Sequence, residues 1–270
     1  MTRRGAGGGD QAAMWLPEPP AQVVPSSRLS TAGIIVIGNE VLSGKVEEAN
    51  ASFLIRELRE IGVELGRVVI IRDDVDTIAS DVRFMSERYD HVFTSGGVGT
   101  THDDVTMRAV ARGLGRGLHR HPDLEALLQS RYGDELHDAV LRMADVPEGT
   151  QLVGASELVF PVVQVENVFV LPGVPEFLRK KFAYLKERLR VDAPFVLRQV
   201  YVTSREDRIA APLQQTVEAH PGLESGSYPR FDIDEYRVKV TLEARDGDLV
   251  ERGLQTLLGL LDADTVVRVD

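Results

Sequence analysis

The sequence predicts an α/β protein: a three-layer α/β/α domain on a parallel sheet, followed by a small α+β domain of order βαββαβ. Three observations carry this reading. Short β-branched runs alternate with amphipathic helical segments between residues 34 and 111, as parallel sheets covered on both faces require. Each run ends in a loop rich in Gly, Asp or Pro. From residue 195 the rhythm changes to strands set side by side around a loop at 229–235.

Taken in order, residues 34–37 are a β-branched run bounded by Gly33 and Gly38, the pattern of a buried strand. Residues 50–61 read as a helix with Phe53, Leu54, Leu58 and Ile61 at helical spacing and Gly62 as its stop. A strand at 68–71 precedes a helix at 75–88 with Val75, Ile78, Val82 and Met85 inward. A third strand, 91–94, runs into a Gly-rich loop, and 105–111 opens a third helix that Asp103 and Asp104 are expected to start. The stretch 114–165 is too aperiodic to place. The run 168–171 leads through Pro172, Gly173, Val174 and Pro175 into a basic helix, so a fourth loop should join the three after the earlier strands. Ligands of such sheets bind beyond the carboxyl ends of the strands. The second unit reads as strand 195–202, helix 209–218, strands 223–228 and 236–242, helix 249–261 and strand 265–269, a ferredoxin-like order. The expected domains are 31–190 and 194–270, after a disordered leader at 1–30 whose Gly- and Pro-rich sequence does not read as a signal peptide.

At 270 residues, 43% hydrophobic and 27% charged, the chain can bury an ordinary globular core. There is no cysteine, which excludes a disulfide scaffold, a thiolate metal site and a cysteine nucleophile and fits a reducing, cytoplasmic setting. No stretch is long enough to span a membrane. A net charge of −11 argues against nucleic acid as a partner, because neutralising phosphates supplies most of that affinity. The basic residues between Arg179 and Arg190 lie opposite Phe177, Leu178, Phe182, Leu185 and Leu189 and read as a solvated helix face.

The chemistry concentrates in the run Ser95, Gly96, Gly97, Val98, Gly99, Thr100, Thr101, His102, Asp103, Asp104. Three glycines let the backbone approach a ligand and turn its N–H groups inward, and the helix start beyond them favours a phosphate. The plainer alternative is a tight turn that simply needs glycine. No phosphate loop of the nucleotide triphosphatases, dinucleotide fingerprint or GxSxG elbow is present. Asp103 and Asp104 read either as helix-start acids, with Thr101 and Asp104 spaced as a capping box, or as carboxylates that hold a divalent metal together with ligand phosphate. Two acids beside a bare phosphate would repel it, and an intervening cation reconciles them with the glycines. Asp73 has the same two readings, with Asp74 and Asp76 as cap candidates. Glu40 is a solvated loop acid or a metal ligand or general base.

The run Gly38, Asn39, Glu40, Val41, Leu42, Ser43, Gly44 with Asn50 resembles the G-x-E-[LIV]-L-x-G…N opening of the competence/damage-inducible protein A (CinA) family. Residues 95–106 resemble its GG-[LIV]-GPT-x-DD-[LV]-T signature, with Thr100 in place of the usual proline, and Leu171, Pro172, Gly173, Val174, Pro175 resemble its LPG-x-P loop. Thr31 to Ile35, His102 to Thr106 and Gly226, Ser227, Tyr228, Pro229 are shared with the molybdopterin-binding-like half of eukaryotic FAD synthetase. The resemblance covers residue 31 to the C-terminus and implies the molybdopterin-binding fold of the molybdenum cofactor biosynthesis enzymes. It also implies either pterin-type binding, with molybdopterin as ligand, or metal-dependent hydrolysis of a nucleotide diphosphate such as ADP-ribose or FAD, releasing AMP, with Mg²⁺, Mn²⁺ or Co²⁺. The alternative is a non-catalytic binding module. Of the acids, the resemblance gives weight first to Asp73 and Asp104 and then to Asp103. Gly38, Asn39, Ser95, Gly96, Gly97, Gly99, Thr100, Thr101, Pro172 and Gly173 are the expected ligand contacts, and analogy with relatives suggests a homo-oligomer. The sequence ends before any nicotinamide-nucleotide amidase or FAD-forming domain, so neither activity is expected here.

Overall fold

The computed structural model describes residues 30–191, 194–232 and 234–270. All of the expected leader except Ser30 lies outside the described residues. In chain order the first unit comprises β1 (Thr31–Ile37), α1 (Asn39–Leu42), α2 (Asn50–Glu60), β2 (Glu64–Ile71), α3 (Val75–Ser86), β3 (His91–Ser95) and α4 (Thr106–Gly113). It continues with β4 (Leu118–Arg120), α5 (Pro122–Tyr132), α6 (Asp138–Leu141), β5 (Asp145–Pro147), β6 (Gln151–Val153), β7 (Val162–Val165), β8 (Val168–Leu171) and α7 (Pro175–Leu189).

Six strands form one sheet in the order β2-β1-β3-β8-β7-β6, and β4 pairs β5 separately. Helices cover both faces. On one, Ile78, Val82, Met85, Ala109, Val110, Leu124 and Leu128 bury Ile35, Ile37 and Val92. On the other, Leu54, Leu58, Leu178, Phe182 and Leu185 bury Ile34, Val36 and Phe93; Phe177, expected on the same face, is instead 53% exposed in the first turn of α7. Alternate residues of β1 thus serve opposite cores, which is why its run is apolar throughout. The three-layer α/β/α expectation holds, with one correction to the all-parallel sheet. β2, β1, β3 and β8 are parallel, but β7 is antiparallel to β8 and β6 to β7. The cause is local. Only Glu166 and Asn167 separate β7 from β8, a two-residue connection that can join antiparallel strands alone. Glu166 takes φ 53° there, a left-handed conformation more usual for Asn or Gly.

The second unit comprises β9 (Val196–Val202), α8 (Glu206–Ala219), β10 (Glu224–Pro229), β11 (Val238–Ala244), α9 (Gly247–Leu260) and β12 (Val266–Val269). Its strands pair antiparallel in the order β10-β11-β9-β12, as the βαββαβ reading requires. β9 pairs with β11 and β12 and not with the first sheet. Val200, Val202, Val238, Val240 and Leu242 pack under Ile209, Val250, Leu254 and Leu257 of the two helices.

A second correction concerns the loop after β3. Asp103 and Asp104 do not start the helix: α4 begins at Thr106 with Val105 as its cap position and no side-chain cap. The acids close a turn of their own before it.

Candidate functional site: four loops at the strand ends

Specific bonds tie the four strand-end loops in two pairs, the loop after β1 to that after β2 and the loop after β3 to that after β8. The Gly38 N–H donates to the Ile71 carbonyl at 3.1 Å, and the Asn39 N–H donates to Asp73 Oδ2 at 2.7 Å, joining the first two. Asp73 therefore holds the first residue of α1, while its neighbour Asp74 caps α3 by accepting from the Thr77 N–H at 2.8 Å. Those bonds from Thr77, backbone first, lower the Asp74 pKa, as a cap acid's should be. The exposed Glu40 folds back over Gly38, where any Cβ would meet its Oε1 at 2.7 Å.

The loops after β3 and β8 meet backbone to backbone. The Gly96 N–H donates to the Leu171 carbonyl at 3.2 Å, and a Cβ on Gly173 would lie 3.2 Å from Gly96 Cα. Asn50 clamps the pair. Only 7% exposed, it donates from Nδ2 to Ser95 Oγ at 2.9 Å and to the Gly173 carbonyl at 2.7 Å. Thr106 closes the loop from below, its hydroxyl donating to the Gly96 carbonyl at 2.8 Å and its N–H to the Gly97 carbonyl at 3.0 Å. Asn50 and Thr106 are not among the contacts the sequence leads one to expect. Asn50 does carry a signal: it stands four residues before Leu54 and eight before Leu58, a polar residue in an apolar stripe.

Glycine is required at two positions of the floor. Gly96 has φ 106° and its Cβ would sit 2.1 Å from the Ile37 carbonyl oxygen; Gly97 has φ 65° and its Cβ would strike Thr106 Oγ1 at 2.4 Å. The backbone from Gly97 onward is an open run. Among the described residues, the N–H groups of Gly97, Val98, Gly99 and Thr100 have no hydrogen-bond partner. Successive free amides on such a turn form a concavity suited to an anion.

Beyond them lies an acidic turn. The Thr101 N–H donates to Asp104 Oδ2 at 2.7 Å, and the Thr101 hydroxyl lies 2.6 Å from that oxygen and 2.5 Å from Asp103 Oδ1. Both carboxylates thus converge on one hydroxyl, whose single proton can serve only one of them. The Thr101 bond, above all, holds the Asp103 carboxyl below the usual range, so it stays ionised. His102 is 98% exposed and 3.9 Å from Asp103. Glu40 and Asp73 lie on the loops after β1 and β2, and Asp103 and Asp104 on the loop after β3, with no hydrogen bond between the two pairs of acids among the described residues. No group of three or more His, Asp or Glu among the described residues is arranged as a metal site. The oxygen-only pair Asp103 and Asp104 instead fits a hard divalent cation that completes its shell with waters and phosphate oxygens.

A family model described as a probable molybdopterin binding domain matches residues 33–191, and one described as the middle domain of FAD synthase matches residues 194–270. A protein of Archaeoglobus fulgidus is 34% identical over 229 residues, which cover 85% of this chain and 97% of that one. A probable FAD synthase of Caenorhabditis briggsae is 30% identical over 258 residues, or 84% of this chain. The match spans 49% of that protein, so this chain corresponds to about half its length. The crystal structure of the protein CinA, of unknown function, from Thermoplasma acidophilum superposes with a TM-score of 0.55 at 30% identity, covering 60% of this chain and 98% of that one.

Proposed function

Since this chain belongs to the molybdopterin-binding-domain family, we propose that its strand-end site binds a nucleotide diphosphate and, with a divalent metal, hydrolyses the P–O–P bond to release AMP. The observation that carries this is the run of four unpaired N–H groups from Gly97 to Thr100, set beside two converging carboxylates. The amides alone suit a phosphate and the acids alone repel one; the two together suit a phosphate that arrives with a cation.

In this reading the amides of Gly97, Val98, Gly99 and Thr100 bind the diphosphate oxygens and orient the bridging oxygen. Asp103 and Asp104 hold the metal, which supplies polarisation of a phosphoryl oxygen and acidification of water. Asp73 has Oδ2 committed to the Asn39 N–H, which leaves Oδ1 to accept a proton from the attacking water. Glu40, exposed one residue beyond Asn39, is the second candidate for that proton. Water adds at one phosphorus as the bond to the bridging oxygen breaks, and the bridging oxygen leaves on the other phosphate. ADP-ribose would give AMP and ribose 5-phosphate; FAD would give AMP and FMN.

A second reading, a binding module for molybdopterin or a nucleotide without chemistry, draws support from the way Asp103 and Asp104 are both turned onto Thr101, closing the loop on itself. One experiment separates the two. Purified chain is incubated with ADP-ribose or FAD and Mg²⁺, Mn²⁺ or Co²⁺, and AMP is followed for the parent and for Asp104→Asn. The amide variant can still accept from the Thr101 N–H through its remaining oxygen, so the turn should persist. The hydrolase reading expects AMP from the parent and a loss of more than about tenfold in the variant, about 1.4 kcal/mol of transition-state stabilisation. No AMP with any metal leaves the binding module. Equal release by both proteins removes Asp104 from the mechanism.

A further inference from the structure

We infer that helix α2 links the second unit to the site, with Arg59, Phe195, Glu243 and Arg245 serving as positioning residues for its floor. The inference rests on the reading of the four loops as the ligand site, and it adds what holds them in place.

The two ends of α2 do different jobs. Its first residue, Asn50, clamps Ser95 and Gly173 from a buried position. Its last turn faces the second unit. There Arg59 forms an ion pair with Glu243 of β11, and its guanidinium lies 5.0 Å from the centre of the Phe195 ring. The Arg245 guanidinium lies 4.3 Å from the same ring and donates from Nη2 to the Gly62 carbonyl at 2.7 Å. The Val191 N–H donates to the Ile61 carbonyl at 3.0 Å. Ile61 and Gly62 are the residues that end the helix, so four contacts from beyond residue 190 converge on one helix terminus.

Glu243 makes this junction exacting. It is 7% exposed, and among the described residues its Oε1 has no hydrogen-bond partner. A carboxylate withdrawn from water with one oxygen unsatisfied depends on its cation, because an unpaired buried charge is strongly unfavourable. Arg59 is therefore held to one place, and the end of α2 with it. Between its ends the helix buries Ala51, Leu54 and Leu58 and packs Phe53 edge-on to Phe182 at 6.0 Å. Close-packed interiors pass displacement on instead of absorbing it. A shift at Arg59 should thus reach Asn50, about 14 Å away along the helix. Asn50 holds the loops after β3 and β8 together, so the open amides of the floor should feel it.

Backbone amide exchange of the full chain, followed residue by residue in Glu243→Gln and Arg245→Met, tests this without any ligand. The reporters are the Gly96 and Thr106 amides, which bond to Leu171 and Gly97. The Ile35 amide at the centre of β1 reports global opening, and Asn50→Ala is the reference for a released clamp. The expected result is exchange at Gly96 and Thr106 faster by about fivefold or more in both junction variants, in the same direction as Asn50→Ala, with Ile35 unchanged. Parent-like exchange at both reporters in the junction variants overturns the inference, and so does an Asn50→Ala variant that leaves them unchanged. Should Glu243→Gln also accelerate Ile35, Arg245→Met decides, since it alters no buried carboxylate. Because no diphosphate or metal is present, failure of the AMP assay would leave this result standing, and failure here would leave the assay standing.

Discussion

Gly96 stands at φ 106° with the Ile37 carbonyl oxygen 2.1 Å from where a Cβ would be, so its identity is fixed by backbone on one side and torsion on the other. Gly96→Ala should cost at least about 1–3 kcal/mol from torsional strain alone, with the clash added. Urea unfolding would show it as a midpoint well below the parent's; an unchanged midpoint would mean that the loop has another conformation. A second residue with a definite outcome is His91, far from the site at the start of β3, with its ring 6.0 Å from Phe169 and 6.5 Å from Phe93. Burial lowers its pKa, against a smaller opposing pull from Asp90. The folded state then prefers the neutral ring. The stability that goes with it is present above the unfolded value of about 6.5 and lost as pH falls through the lower folded value. Urea unfolding between pH 8 and 5 should show the parent losing more stability than His91→Phe; parallel curves would refute the assignment.

The hairpin between β7 and β8 turns on Glu166, which is held at φ 53°. A side chain in the left-handed region costs roughly 1–2 kcal/mol, less for Asn. The Glu166 pair with Arg116 at 2.7 Å is half exposed and returns little of that. Glu166→Asn should therefore raise stability by about 0.5–1 kcal/mol, read as a higher urea midpoint; a lower midpoint would show that the ion pair outweighs the torsion. The same turn explains what the sequence conceals. Glu-Asn is not a hairpin signature, so only 168–171 reads as a strand where a hairpin of two lies, and the sheet reads as wholly parallel. Strands of three residues, such as β4, β5 and β6, are too short for a period to appear. The turn from Thr101 to Asp104 imitates a capping box closely enough that the sequence puts the start of α4 too early. Elements with a sustained apolar stripe are legible: α2, α3, α7 and the whole βαββαβ order can be read from spacing alone.

At the scale of the molecule, the glycines and acids of the floor are visible in the sequence, but the bonds that assemble it are not. Gly96 and Gly97 announce a backbone approach; nothing local to Asn50 says that its amide spans 45 residues to Ser95 and 123 to Gly173. Such tethers exist only once the sheet has set β3 beside β8. Charge is the property that decides function at this scale. A chain of net charge −11, with Glu40, Asp73, Asp103 and Asp104 around the loops, presents an unfavourable field to a diphosphate. The free amides from Gly97 to Thr100 supply local attraction, and a divalent cation between them and the acids would reverse the sign where it matters. The most direct measurement is calorimetric titration of ADP-ribose into the parent chain, with Mn²⁺ and again with chelator. Binding should be at least about tenfold tighter with the metal, a difference of about 1.4 kcal/mol. Equal affinity in the two titrations, or no binding in either, would contradict it.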